Sequence, residues 1–88
     1  MPDEQLRRSL IELRAELDRL ESGEAHVRAR LDALIAGIET RLETPENHAH
    51  HSSLVEDVRL SILQFEASHP RATAILNQVM AALGNVSS

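Results

Sequence analysis

Three histidines, His48, His50 and His51, are the residues best suited to chemistry in this sequence. Imidazole is a common ligand of zinc, nickel and copper, and neighbouring imidazoles gain charge at about pH 6.5. We interpret residues 44–52 as a polar linker, because the proline at its start pushes the preceding residue out of helical geometry. The linker either holds a metal ion with help from Glu46 or Asn47, or is solvated and binds nothing. The second interpretation is simpler, since no cysteine assists and structural zinc needs four fixed ligands.

The second candidate site is the corner formed by Ser68, His69 and Pro70. Proline suits the first turn of a helix, so this corner separates two helices, and His69 lies four residues after Phe65, close enough to stack on it. Glu66 and His69 have the spacing of a carboxylate-bridged di-iron motif, but a second such pair is missing. Phosphate-binding loops and nucleophile elbows are missing as well. We therefore predict no enzyme and no cofactor.

The elements that position these residues are predicted to be helices. Leucines step by four and three along the first segment, and the same spacing continues past Gly23. Gly23 suits a helix end in the left-handed conformation. Two interpretations stay open: an antiparallel hairpin of helices 3–21 and 24–43, which we favour, or one helix of about 60 Å that needs a second chain to cover it. The predicted interaction ridge is Leu6, Leu10, Leu13, Leu17, Leu20, Val27, Leu31, Leu34 and Ile38.

A row of small residues, Ala25, Ala29, Ala33 and Gly37, recurs every four positions along the second helix. Small side chains let another backbone come close. The row either contacts the first helix of the same chain or forms the seam of a dimer. Both alternatives stay open, with contact inside the chain the simpler one.

Two further helices are predicted at residues 53–67 and 70–83. Ser53 and Glu56 match a capping box at the start of the third helix, and Gly84 with Asn85 suits the end of the fourth. Leu63 is predicted to widen the inner face of the third helix. Because no stretch alternates with period two, we expect an all-α fold within one domain, residues 1–88: a helical hairpin plus two shorter helices.

The amino-acid composition limits the classes of partner that we expect. The chain has 88 residues, no cysteine, one aromatic residue and a net charge of −5. An acidic surface repels phosphate groups, so we expect neither nucleic acid nor membranes as partners. The lack of cysteine and of a signal peptide fits the cytoplasm. Since a small aliphatic core is marginal, we expect association into a homodimer or other homo-oligomer to complete the bundle, with another protein as a further possible partner.

The chain also resembles a family of small bacterial proteins, the domain of unknown function family 4404. The resemblance covers nearly the whole chain and is most specific around the Ser-His-Pro corner. It implies a bacterial, cytoplasmic, helical protein with a turn between the first two segments, and it implies no activity. The residues that carry it are Phe65 to Ala74, Leu76-Asn77, Ala81 to Asn85, Ala15-Glu16-Leu17 and Leu34 to Glu39.

These observations predict a non-catalytic helical interaction or structural module that self-associates in a coiled-coil manner through its leucine ridge. The alternative is a small metal-responsive or pH-responsive regulator that uses His48, His50 and His51. The process that the protein serves and the geometry of its oligomer do not follow from the sequence.

Overall fold

Four α-helices make up the protein in a computed structural model that describes residues 2–87, with side-chain surroundings for residues 3–84. The helices are α1 (Pro2–Arg19), α2 (Ala25–Glu43), α3 (His48–Phe65) and α4 (Pro70–Ser87). Residues 2–87 contain no strand, so the all-α prediction is confirmed. None of these helices is long and apolar enough to span a bilayer.

The four helices form a closed ring in which each packs against two neighbours. Helix α1 packs against α2 and α4, and α3 packs against the same two helices. Short connections make consecutive helices antiparallel. The result is a bundle of 37 × 21 × 18 Å, in which the loops 20–24 and 66–69 share one end and the loop 44–47 lies at the other. The hairpin of α1 and α2 is therefore the correct alternative, and an ion pair between Arg14 and Glu39 bridges it.

One aliphatic cluster fills the centre of this ring. Every helix contributes residues at the spacing of three and four that keeps one face turned inward. Phe65 is the only aromatic residue in it, so the core consists of many modest aliphatic contacts. The buried hydrophobic residues are Leu6, Leu13, Val27, Leu31, Leu34, Ile35, Ile38, Leu54, Val58, Phe65, Ala72, Ile75, Leu76, Val79, Ala82 and Leu83.

Helix α3 begins five residues earlier than the sequence predicted, so the linker 44–52 shrinks to residues 44–47. Asn47 is the N-cap, and its side-chain oxygen accepts a hydrogen bond of 3.0 Å from the backbone N–H of His50. The capping box of Ser53 and Glu56 is therefore wrong, because both lie inside the helix. As a result α3 is as long as α1, and the helices after the hairpin are not shorter.

The glycines also differ from expectation. Helix α1 ends at Arg19, before Gly23, but no glycine in the described residues has a positive φ. The chain turns instead through hydrogen bonds from the Leu20 N–H to the Leu17 carbonyl and from the Glu24 N–H to the Glu21 carbonyl. Gly84 does not end α4, which continues to Ser87.

Replacement of Leu13 by Asp tests the core. Leu13 is fully buried within the single chain. A lone charge there has no partner, so we expect the Leu13→Asp variant to lose about 3–5 kcal/mol of unfolding free energy in urea titrations. The matched control is Ile11→Asp, two residues away and 68% exposed, which should change stability by about 0.5 kcal/mol or less. Equal losses in the two variants would contradict the placement of α1.

Candidate functional site

The first turn of α3 holds the three histidines in different directions. His48 is exposed, whereas His50 and His51 are half-buried against α2. His50 Nε2 donates a hydrogen bond of 2.9 Å to the Gly37 carbonyl. His51 Nδ1 accepts a hydrogen bond of 3.1 Å from Arg41 Nε. His50 and His51 therefore bond to different partners on α2.

Arg41 is the most unusual side chain of the molecule, because it is charged and only 1% exposed. It follows Val27 and Leu34 at intervals of seven residues, so the helix turns it toward the core. Its Nε is bonded to His51, but its Nη1 atom is buried without a hydrogen-bond partner. No carboxylate within residues 3–84 forms a salt bridge with it. Burial of a guanidinium that lacks an anionic partner is costly, so this arrangement calls for an explanation.

The surroundings of His51 favour its neutral form. Burial lowers its pKa from 6.5, and the positive charge of Arg41 lowers it further, with smaller effects from His48 and His50. Since Nδ1 accepts a bond from Arg41, the proton of the neutral ring is on Nε2. His51 therefore presents a hydrogen-bond donor on the side away from Arg41.

His51 also lines a groove of about 450 Å³ between α3 and α4. Volumes of this size are typical of small-molecule sites. The groove is apolar along Val55, Met80 and Leu83. At its rim Arg59 and Glu56 form a salt bridge of 3.2 Å with both side chains more than half exposed. We refer below to this space, with His51 at its wall, as the α3–α4 groove.

A metal site does not form from these histidines. Within the described residues no group of three histidine, cysteine or carboxylate side chains is placed to hold an ion. The structure turns His50 toward Gly37 and His51 toward Arg41, while His48 lies outside. The residues that we predicted to be a flexible linker form the first turn of a helix. In a helix, consecutive side chains point about 100° apart.

The Ser-His-Pro corner lies at the opposite end of the bundle. His69 Nε2 and Glu24 Oε1 are 2.6 Å apart, and Ser68 Oγ and His69 Nδ1 are 2.9 Å apart. The imidazole also contacts Phe65, edge to face rather than stacked, with 5.6 Å between ring centroids. His69 therefore ties the loop 20–24 to the loop 66–69. Its hydrogen bond is the main reason why the pKa of Glu24 falls below 4.5.

A serine, a histidine and a carboxylate in a row also occur in hydrolases, so their surroundings matter. Here Ser68 and His69 are neighbours in one turn, and Ser68 is exposed. Three grooves on the described part of the chain, including the α3–α4 groove, are lined by other residues than Ser68 and His69. What the contacts of this corner show is that it joins two loops.

The predicted interaction ridge lies inside the single chain. Leu6, Leu13 and Val27 are buried, as are Leu31, Leu34 and Ile38, because α3 and α4 cover them. Leu10, Leu17 and Leu20 are half-buried and pack against the same cluster. One chain therefore covers its own ridge, and these residues form the core of the bundle.

The row of small residues faces away from α1. Ala25, Ala29 and Ala33 are exposed, so their predicted contact with the first helix is wrong. Gly37 is half-buried, and it lies against α3: a β-carbon on Gly37 would be 3.0 Å from Leu54 Cδ1. The dimer seam stays a prediction.

Sequence reasoning missed two features of the surface and one of the interior. Leu60 and Leu63 on α3 are 47% and 62% exposed, although Leu63 was assigned to the inner face. On a helical wheel, both leucines lie outside the side of α3 that carries the buried residues. Arg41 was missed because arginine is rarely buried, but its spacing of seven from Leu34 was a signal for it.

Replacement of Glu24 by Gln tests the corner. The carboxylate has a lowered pKa, so its stabilisation is present above about pH 4.5 and is lost as the pH falls below that value. We expect the wild type to melt at a higher temperature than Glu24→Gln at pH 6, and the difference to shrink toward pH 3. Glu21→Gln, in the same loop and exposed, is the control. A difference between wild type and Glu24→Gln that is independent of pH would contradict the ion pair.

Comparison with known proteins identifies the family and nothing further. No curated protein and no solved structure matches the chain. One family model matches residues 6–86, which include all of α2 and α3, the Ser-His-Pro corner and Arg41. The chain belongs to the family described as the domain of unknown function DUF4404.

Proposed function

We propose that the protein is a non-catalytic helical interaction module that self-associates through the outside of α2 and α3. One observation carries the proposal: two leucines of α3, Leu60 and Leu63, are 47% and 62% exposed, and a row of alanines on α2 is exposed as well. Large exposed apolar side chains beside a flat apolar surface are typical of interaction sites. We call the surface formed by Ala25, Ala29, Ala33, Leu60 and Leu63 the α2–α3 outer face.

The packing register supports the continuity of this face. Gly37 lies against Leu54, and the two helices are antiparallel. Six residues beyond Leu54, Leu60 therefore lies level with residue 31 of α2. That level is between Ala29 and Ala33, so Leu60 and the alanines share one level along the bundle axis.

A second copy of the chain suits this face better than an unrelated partner. A two-fold interface brings the same patch of both subunits together, so it must contain both protrusions and a surface that receives them. The leucines supply the protrusions, and the alanine row supplies a surface that a helix approaches closely.

The regulator built on His48, His50 and His51 is not carried forward as a function. The described residues contain no converging set of metal ligands, and the inner histidines have hydrogen-bond partners of their own. We further propose a bacterial, cytoplasmic setting, because the resemblance around the Ser-His-Pro corner implies it and the lack of cysteine fits a reducing compartment. The net charge of −5 argues against nucleic acid as a partner.

Sedimentation at micromolar concentration tests self-association. We expect the wild type to sediment at twice the mass of the 9.8 kDa chain, and Leu60→Glu with Leu63→Glu to sediment as the single chain. Charges on this face repel each other across a two-fold axis and leave the core intact. The double variant should therefore keep its helical circular dichroism.

The matched control is Ile11→Glu, which replaces another exposed apolar residue, on α1. It should leave the dimer intact. A wild type that sediments as one chain up to 100 µM would rule out self-association, and a dimer broken by Ile11→Glu alone would move the interface to α1.

A further inference from the structure

Arg41 is buried, and His51, which contacts it, lines the α3–α4 groove. We propose that the α3–α4 groove is a binding site for a small aliphatic carboxylate, whose anionic head is held at the pair formed by Arg41 and His51. The site is separate from the α2–α3 outer face and does not depend on self-association. It accounts for a charged side chain that has no anionic partner within the described residues.

The head of the ligand is defined by two donors. Arg41 is 1% exposed, and its Nη1 is buried without an acceptor. His51 contacts Arg41 and also lines the groove, whereas Arg41 itself does not line it. The Nε2–H group of the neutral His51 ring is the second donor. A carboxylate that enters past His51 supplies the acceptor that the guanidinium lacks. Guanidinium and carboxylate match each other in planar shape and in charge, and such bonds are stronger than neutral ones.

The body of the ligand is defined by the walls. Val55 on α3 and Met80 with Leu83 on α4 form an apolar lining. Methionine adapts its shape to flexible apolar ligands. A volume of about 450 Å³ accepts an alkyl chain of several carbons. These walls favour an aliphatic tail over a sugar or a nucleotide, which need polar partners along their length.

The other charges around His51 are few. Arg41 reaches it from α2, and His48 and His50 lie on its own helix. Glu56 and Arg59 at the rim neutralise each other through their salt bridge. The part of α4 that lines the groove, Met80, Leu83 and Gly84, contributes no charged side chain. An anion in the groove therefore meets a net positive field from α2.

Calorimetric titration with hexanoate at pH 6.5 and low salt tests the proposal. We expect one equivalent to bind. Hexanamide, which has the same tail without the charge, and sulfate, which has charge without the tail, should each bind at least about tenfold more weakly. No heat with hexanoate, or equal affinity for hexanamide or for sulfate, would overturn the assignment.

Two matched variants identify the arginine. Arg41→Met keeps the length of the stem and removes the charge, and we expect the affinity for hexanoate to fall by about tenfold or more. Arg59→Met does the same at the rim of the same groove and should change the affinity by less than about threefold. A loss in Arg59→Met that Arg41→Met does not show would place the anion on the exposed arginine and overturn the proposal.

A measurement on the wild type covers the case in which Arg41→Met does not fold. The ring protons of His51 report its titration in NMR spectra. Hexanoate offsets the charge of Arg41, so the pKa of His51 should rise from its lowered position, while hexanamide leaves it unchanged. Because binding then takes up a proton, hexanoate should bind more tightly at pH 6 than at pH 8. A His51 resonance that does not respond to hexanoate would rule out the site.

Discussion

Everything in this fold depends on covering aliphatic side chains with other aliphatic side chains. The core contains one aromatic residue, Phe65, and otherwise relies on leucine, isoleucine, valine and alanine. Such a core gains stability through the number of its contacts, and that number grows with the length of the helices that share them. Four helices of 18 or 19 residues, closed into a ring by the contact of α1 with α4, supply that length within one chain.

The same constraint explains the polar contacts at the two ends of the bundle. Helices that run the full length of the core leave only short loops to connect them. At one end the bond between Glu24 and His69 joins two such loops. At the other end the inward stripe of α2 extends to Arg41, and the first turn of α3 brings His51 to meet it. Both contacts join residues on different helices or loops, and both result from where the core requires the helices to stop.

The sequence predicted what depends on local periodicity and missed what depends on contacts across the bundle. The stripe from Leu6 to Ile38 indicated the apolar side of α1 and α2, and Gly23 favoured the hairpin over one long helix. The start of α3 was missed because a run of histidines next to a proline has the composition of a loop, while one side-chain bond from Asn47 suffices to begin the helix there. The pairing of Glu24 with His69 spans 45 residues, and no local pattern reports it. Leu63 was assigned to the inner face because it is apolar, but it lies nine residues after the buried Leu54, on the opposite side of the helix.

The stability of the core does not explain why residue 41 is an arginine. The seven-residue spacing from Val27 and Leu34 requires an apolar side chain at this position if stability is the only requirement. Well-packed hydrophobic residues are often as stable as buried charges, or more stable, so a methionine or leucine here would serve the core better. The arginine instead places a permanent positive charge behind a neutral histidine, at the wall of an apolar groove. A charge that the fold does not need, held next to a histidine that lines a groove, supports the proposal that this bundle binds an anion.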